Sequence, residues 1–208
     1  MSKYGSYAEL ARSEVLGKDY LVRASARPHS PVLVLAPHGG LIEVGTSEIA
    51  LLIAGDEHNL FCFEGLKSAG ANRDLHITSH RFDHPECVAM AARCELVLSV
   101  HGCLGDSTIH VGGLDAAFAG HLATQLSRAG FSVESESRRY PGRHPLNICN
   151  RGSRAMGAQL EITFDLRIGR RRAAIARAVR SAIAFCTAAP AADYTRGEPG
   201  PSLLGGTP

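Results

Sequence analysis

The chain has 208 residues, of which 45% are hydrophobic and 20% charged, with 22 basic and 20 acidic side chains. That length and apolar content suit one compact domain with a sizeable core and exclude a largely disordered chain. The near balance of charge leaves no global field to draw the protein to nucleic acid or a membrane, and no stretch approaches the roughly 18 consecutive apolar residues of a membrane span.

Met1 to Ala11 lacks the charged-then-apolar pattern of an export signal, so a cytoplasmic location is expected, with release by lysis if the chain is phage-encoded. In chain order, apolar runs rich in β-branched residues predict strands at Val32–Leu35, Leu60–Phe63, Leu75–Thr78, Leu96–Val100 and Leu160–Phe164. Helical patterns fall between them at Ser47–Ala54, Glu86–Ala92 and Ala116–Ala129, the last stopped by Gly130. A further helix is expected over Arg170–Cys186, where Ile175, Val179 and Ile183 recur four apart.

Strands alternating with helices define an α/β fold: a single domain over residues 1–189, with a mainly parallel sheet flanked by helices. Residues 190–208, rich in Gly, Pro, Thr and Ser, read as a disordered tail. In such a sheet the chemistry sits in loops at the carboxyl ends of strands. His38, followed by Gly39 and Gly40, and His101, followed by Gly102 and Cys103, both fall there.

A catalytic zinc takes three protein ligands from His, Glu or Asp and leaves a position for water. His38 and Glu43 can supply two of them if the Gly39-Gly40 turn folds the carboxylate back toward the imidazole. His101, rigidly placed by the strand before it, is the third candidate. The plain alternative is that both histidines merely cap strand ends. Glu161, within Gln159-Leu160-Glu161-Ile162, is either a solvent-facing strand residue or the general base beside an activated water; spacing does not choose between the two.

The ordered segments Pro37-His38-Gly39-Gly40 with Ile42-Glu43 and Gly45-Thr46-Ser47-Glu48, Leu75-His76-Ile77-Thr78-Ser79, His101-Gly102-Cys103, Asn150-Arg151-Gly152 and Gln159-Leu160-Glu161-Ile162 resemble the successive motifs of the phage-type poly-γ-glutamate hydrolase family. The resemblance runs from about Tyr4 to Arg167. It implies a zinc carboxypeptidase-like fold with a mixed α/β sheet, Zn2+ held by His38, Glu43 and His101, Glu161 as the catalytic base, and cleavage of γ-glutamyl amide bonds. The four residues between His38 and Glu43 make a longer spacing than that of the zinc carboxypeptidases. Leu41 and Val44 depart from the family's first motif, and His80, Arg81 and His84 depart from it in the segment Ser79–Pro85.

A γ-linked polyglutamate or similar acidic peptide calls for arginine, whose planar fork binds carboxylates in bidentate fashion. Arg151 is the first choice, for oxyanion stabilisation and carboxylate binding, with Asn150 beside it and Arg81 and Arg143 as further substrate-binding candidates. The enzyme is expected to act as a monomer.

Three rival readings stand beside this one. Cys103 could be the nucleophile of a cysteine hydrolase, although the bland view of Cys103 and Cys149 is that they are small buried hydrophobes. The run Arg167, Arg170, Arg171 and Arg172 could mark a non-catalytic nucleic-acid partner, but no aromatic platform interleaves with it. A zinc amidase of similar architecture acting on another acyl-amino acid or peptide is the third.

Overall fold

The computed structural model describes residues 2–188 apart from 69 and 136, so the expected tail at 190–208 lies outside the described residues. Seven strands form one sheet: β1 (Tyr20–Ser25), β2 (Val32–Gly40), β3 (Asn59–Gly65), β4 (Leu96–Cys103), β5 (Thr108–Gly113), β6 (Ser132–Ser135) and β7 (Ala158–Thr163). Their order is β1-β3-β2-β4-β7-β5-β6. The β1/β3 and β5/β7 pairs are antiparallel and the other four pairs parallel, giving a mixed, mainly parallel sheet.

The central strands are continuous apolar runs because both faces of the sheet are covered. Alternate residues of β2 serve two cores. Val32, Val34 and Ala36 pack with Leu98, Val100, Leu160 and Ile162 under three helices, α2 (Thr46–Ala54), α4 (Ala116–Arg128) and α6 (Arg172–Ala188). Leu33 and Leu35 face Phe61, Phe63, Phe82 and Met90 on the other side, under α1 (Tyr7–Ser13) and α3 (Pro85–Ala92).

Local chemistry sets the helix ends. Asp115 Oδ1 accepts the Phe118 N–H at 3.0 Å and starts α4, while Pro85, which lacks an N–H, occupies the first turn of α3. The stripe Ile175, Val179 and Ile183 of α6 is fully in the core, as its spacing predicts. No helix among the described residues is long and apolar enough to cross a membrane.

One predicted strand is not a strand. Ala71–Leu75 is a 3-10 turn and the residues after it are irregular. Leu75 and Ile77 are fully buried while the residues between and after them are less so. This alternation imitates a strand, but it arises from two apolar anchors pinning a loop to the second core.

The chain runs from β2 to β3 on one side, then crosses to β4 on the other. This reversal of direction opens a crevice at the carboxyl ends of β2 and β4, the position where α/β sheets bind ligands.

Candidate metal centre

β2 enters this crevice through a bulge. Ala36 pairs with Cys62 and Gly39 with Glu64, so three residue steps on β2 span two on β3. Pro37, which cannot donate to a ladder, sits within the irregularity, and the extra residue re-aims His38. Glu43 N–H then donates to His38 O at 2.9 Å, and Thr46 Oγ1 donates to Glu43 O at 2.8 Å. These bonds fold the carboxylate back toward the imidazole, as the Gly39-Gly40 turn was expected to do.

His38 and His101 are each 2% exposed. His38 Nδ1 lies 3.1 Å from Glu43 Oε1 and 3.2 Å from His101 Nδ1, and His101 Nδ1 lies 3.7 Å from Glu43 Oε2. Ligands about 2.0 to 2.1 Å from one tetrahedral zinc stand about 3.3 to 3.4 Å apart, so the three side chains fit a shared ion. Outer contacts orient them. His38 Nε2 donates to Ile77 O at 2.7 Å, which leaves Nδ1 as the ring nitrogen turned toward the cluster. Gly102 N–H donates to Glu43 Oε2 at 2.7 Å, and Ser79 Oγ stands 3.5 Å from His101 Nε2.

His76 joins this group although the sequence reading assigned it no role. Its ring stacks on His38 at 3.9 Å, and its Nε2 lies 3.7 Å from Glu43 Oε1, so His38, Glu43 and His76 also form a set able to hold a metal. His101 is the more buried of the two, with its Nδ1 3.2 Å from His38 Nδ1, whereas the His76 side chain is 38% exposed although its ring stands closer to that of His38, at 3.9 Å against 5.0 Å. The signal that could have found His76 is its place between the two anchors Leu75 and Ile77.

Glu161 stands beside His101 in the sheet register, on the same face, and its Oε1 accepts from Gln159 Nε2 at 3.3 Å. Burial first, and then the charge of Glu43, push its carboxyl up to about 8. Burial would raise Glu43 as well, but the charge of His38 and the hydrogen bonds from His101 and His38 hold it well below the usual carboxylate range. Two carboxyls with opposite tendencies therefore share one site, one kept ionised and one fit to carry a proton. His76 is pushed down to about 4 by the charge of His38 and then by burial.

A cleft of about 340 Å³ opens beside Glu43, lined by Val44, Cys103, Leu104, Tyr140, Phe164 and Arg167 among others. Arg167 belongs to a short helix, α5 (Phe164–Ile168), that the sequence reading had not separated from the strand before it.

The remaining expected residues are spread more widely. Asn150 is buried, with its amide fully occupied inside the fold: Oδ1 accepts from Leu114 N and Gly157 N, and Nδ2 donates to Gly142 O and His144 O. It is a loop staple with no group left over for a substrate. Arg151 exerts its charge on Cys87 of the second core, and the next residues, Gly152 and Ser153, pack on Cys94 near the start of β4, the end away from His101. Arg81 sits exposed in the turn that follows Ser79, and Arg143 lines a separate cleft beside Gly112 and Pro141.

Burial pushes the Cys103 and Cys149 thiols up to about 12, the reverse of what an activated nucleophile needs. The arginine run divides. Arg167 is buried, Arg171 lies over the Phe131 ring at 4.2 Å and donates to Gly130 O, and Arg172 approaches Glu48 at 4.0 Å.

A mixed α/β domain carrying a His/Glu/His cluster at the carboxyl edge of its sheet has the donor set to hold a metal ion beside a carboxyl able to carry a proton. The model of the poly-gamma-glutamate hydrolase family matches residues 4–180, and the chain belongs to that family. It is 41% identical over 167 residues to YndL of Bacillus subtilis, covering 79% of this chain and 65% of that relative, so the chain spans just under two thirds of the length of this curated relative. Among solved structures it is similar to a bacteriophage poly-gamma-glutamate hydrolase, with a TM-score of 0.85 and 28% identity over 90% of this chain and 99% of the other. It is also similar to zinc-free YndL, with a TM-score of 0.82 and 34% identity over 88% and 98%.

Proposed function

We propose that this protein is a zinc-dependent hydrolase of γ-glutamyl amide bonds, with His38, Glu43 and His101 as metal ligands and Glu161 as the base. The observation that carries the reading is the convergence of His38 Nδ1, His101 Nδ1 and the Glu43 carboxylate within 3.1 to 3.7 Å, with His38 held in the matching tautomer by Ile77 O. The solved relatives, a poly-gamma-glutamate hydrolase and a zinc-free YndL, support both the substrate and the metal.

A bound zinc supplies Lewis acidity to the scissile carbonyl and lowers the pKa of water in the site to about 7. Glu161, raised by its surroundings, takes a proton from the attacking water and returns one to the leaving amine. Glu43, held ionised, keeps negative charge on the metal side. Every residue of a γ-linked polymer bears a free carboxylate. The exposed Arg81 in the turn after Ser79 provides positive charge along such a chain.

The test is metal analysis of the purified protein together with a poly-γ-glutamate depolymerisation assay. One equivalent of zinc is expected, with chain scission that Glu161→Gln abolishes. Zinc binding without scission, but with turnover of another acyl-amino acid or peptide, would instead support the related amidase.

A further inference from the structure

Arg167 is an unusual group for its position. It is 6% exposed, yet among the described residues no carboxylate lies within ion-pair distance of it. An unpaired buried guanidinium is costly, and hydrogen bonds to carbonyls offset only part of that cost.

Its contacts are specific. Nε donates to Ile162 O at 2.9 Å, and Nη1 donates to Val44 O. The guanidinium plane lies against Gly102 so closely that a Cβ on that glycine would stand 2.4 Å from Cζ and 2.7 Å from Nε and Nη2. On the other side Gly45, at φ 94°, lies so near the Arg167 backbone that a Cβ there would stand 2.4 Å from its carbonyl oxygen.

Val44, Gly102 and Ile162 are the residues that directly follow Glu43, His101 and Glu161. One side chain thus touches the backbone next to two expected ligands and next to the expected base, which come from three separate segments of the chain. Gly102 is the space in which this guanidinium is seated, and Gly45 leaves room for the Arg167 backbone.

We propose that Arg167 is a positioning residue for the metal centre, a brace that fixes the Glu43 loop, the end of β4 and the end of β7 relative to one another. The proposal rests on the metal-centre reading above. It assigns Arg167 a role separate from Arg171 and Arg172, whose side chains turn to Phe131 and Glu48. An arginine suits the task because its planar fork donates in two directions, to Val44 O and Ile162 O, while its face lies flat on Gly102. A lysine reaches one carbonyl at a time.

The experiment compares the parent, Arg167→Lys, Arg167→Met and Gly102→Ala. Folding is followed by circular dichroism, zinc affinity by competition with a chromophoric chelator, and kcat and KM by polymer scission. Arg167→Met is expected to stay folded, to bind zinc about 10- to 100-fold more weakly and to lose kcat by a similar factor, as when an outer contact of a metal ligand is removed. KM should move only a few-fold. Arg167→Lys should recover part of both losses, which a purely space-filling role would not produce.

Gly102→Ala keeps every charge but displaces the guanidinium, so the same weakening of zinc binding is expected from it. It carries the test if the Arg167 variants do not fold. Folded Arg167 variants, or failing those a folded Gly102→Ala, with parental zinc affinity and kcat would overturn the proposal while leaving the metal centre intact. A parent protein that takes up no zinc in the same titration would overturn the underlying reading and this proposal with it.

Discussion

Replacing Glu161 with Gln should make the metal-free protein more stable at high pH while removing its activity. In the unfolded chain this carboxyl ionises near its ordinary 4.5; in the folded protein it does so at about 8, because it is buried and faces the charge of Glu43. Between those values the folded state holds a proton that the unfolded state has lost. Stability therefore falls as pH rises through this window, and the penalty is complete above about 8. The full displacement corresponds to an upper bound of ~5 kcal/mol. The side chain retains some exposure to solvent, and screening reduces the working figure to ~2 kcal/mol. Gln keeps the shape and cannot ionise, so the variant escapes the penalty. Urea or thermal unfolding of the chelator-treated parent and variant should give matching stabilities near pH 4.5 and a variant about 2 kcal/mol more stable at pH 9, or roughly 4 to 8 °C in Tm. The metal must be absent, since a dication beside Glu161 would lower its pKa. A variant no more stable than the parent at pH 9 would refute the burial argument. Retained scission would remove Glu161 from the chemistry.

Thorough chelation should abolish scission and added zinc should restore it, while Cys103→Ser retains activity within a few-fold; survival without metal combined with loss in Cys103→Ser would reverse the assignment. His101→Ala should lose stoichiometric zinc binding and His76→Ala only part of the affinity, both measured by chelator competition, and the opposite ranking would make His76 the third ligand. Asn150→Ala strands the Leu114 and Gly157 N–H groups and the Gly142 and His144 carbonyls. A loss of about 2 to 4 kcal/mol is expected in denaturant unfolding, and an unchanged midpoint would show the staple to be dispensable.

The sequence revealed most clearly the elements buried on both faces. β2, β3, β4 and β7 announce themselves as apolar runs, and α2, α3, α4 and α6 lie within a few residues of their expected bounds. The edge strands β1 and β6 were illegible because one side faces solvent and their residues are mixed. β5, with three positions that are not fully buried, His110 among them, gave no clean run either. The segment at Leu75 misled because two buried anchors with a half-exposed histidine between them share the period of a strand.

In the candidate site, His38, Glu43 and His101 could be read because strand ends and glycines mark loops, and their convergence required only that β2 and β4 be neighbours. Arg167 was hidden by its company. Four arginines within six positions suggest a solvated face, and nothing local says that the first of them turns inward onto a glycine 65 residues away. Asn150 shows the converse, since a polar residue in a motif looks like a ligand while the four bonds that occupy its amide are not legible in the sequence.

The pairing of β2 with β4 has a consequence for how this protein acquires a metal. The two strands are neighbours in space but their ends, His38 and His101, are 63 positions apart in the chain. No short peptide from this sequence can preassemble the two imidazoles, and a partly folded chain that has formed β2, α2 and β3 still lacks one of them. Ion capture is thereby tied to closure of the central sheet, so a bound ion would act as a late clasp that selects chains whose slowest long-range contact is already made.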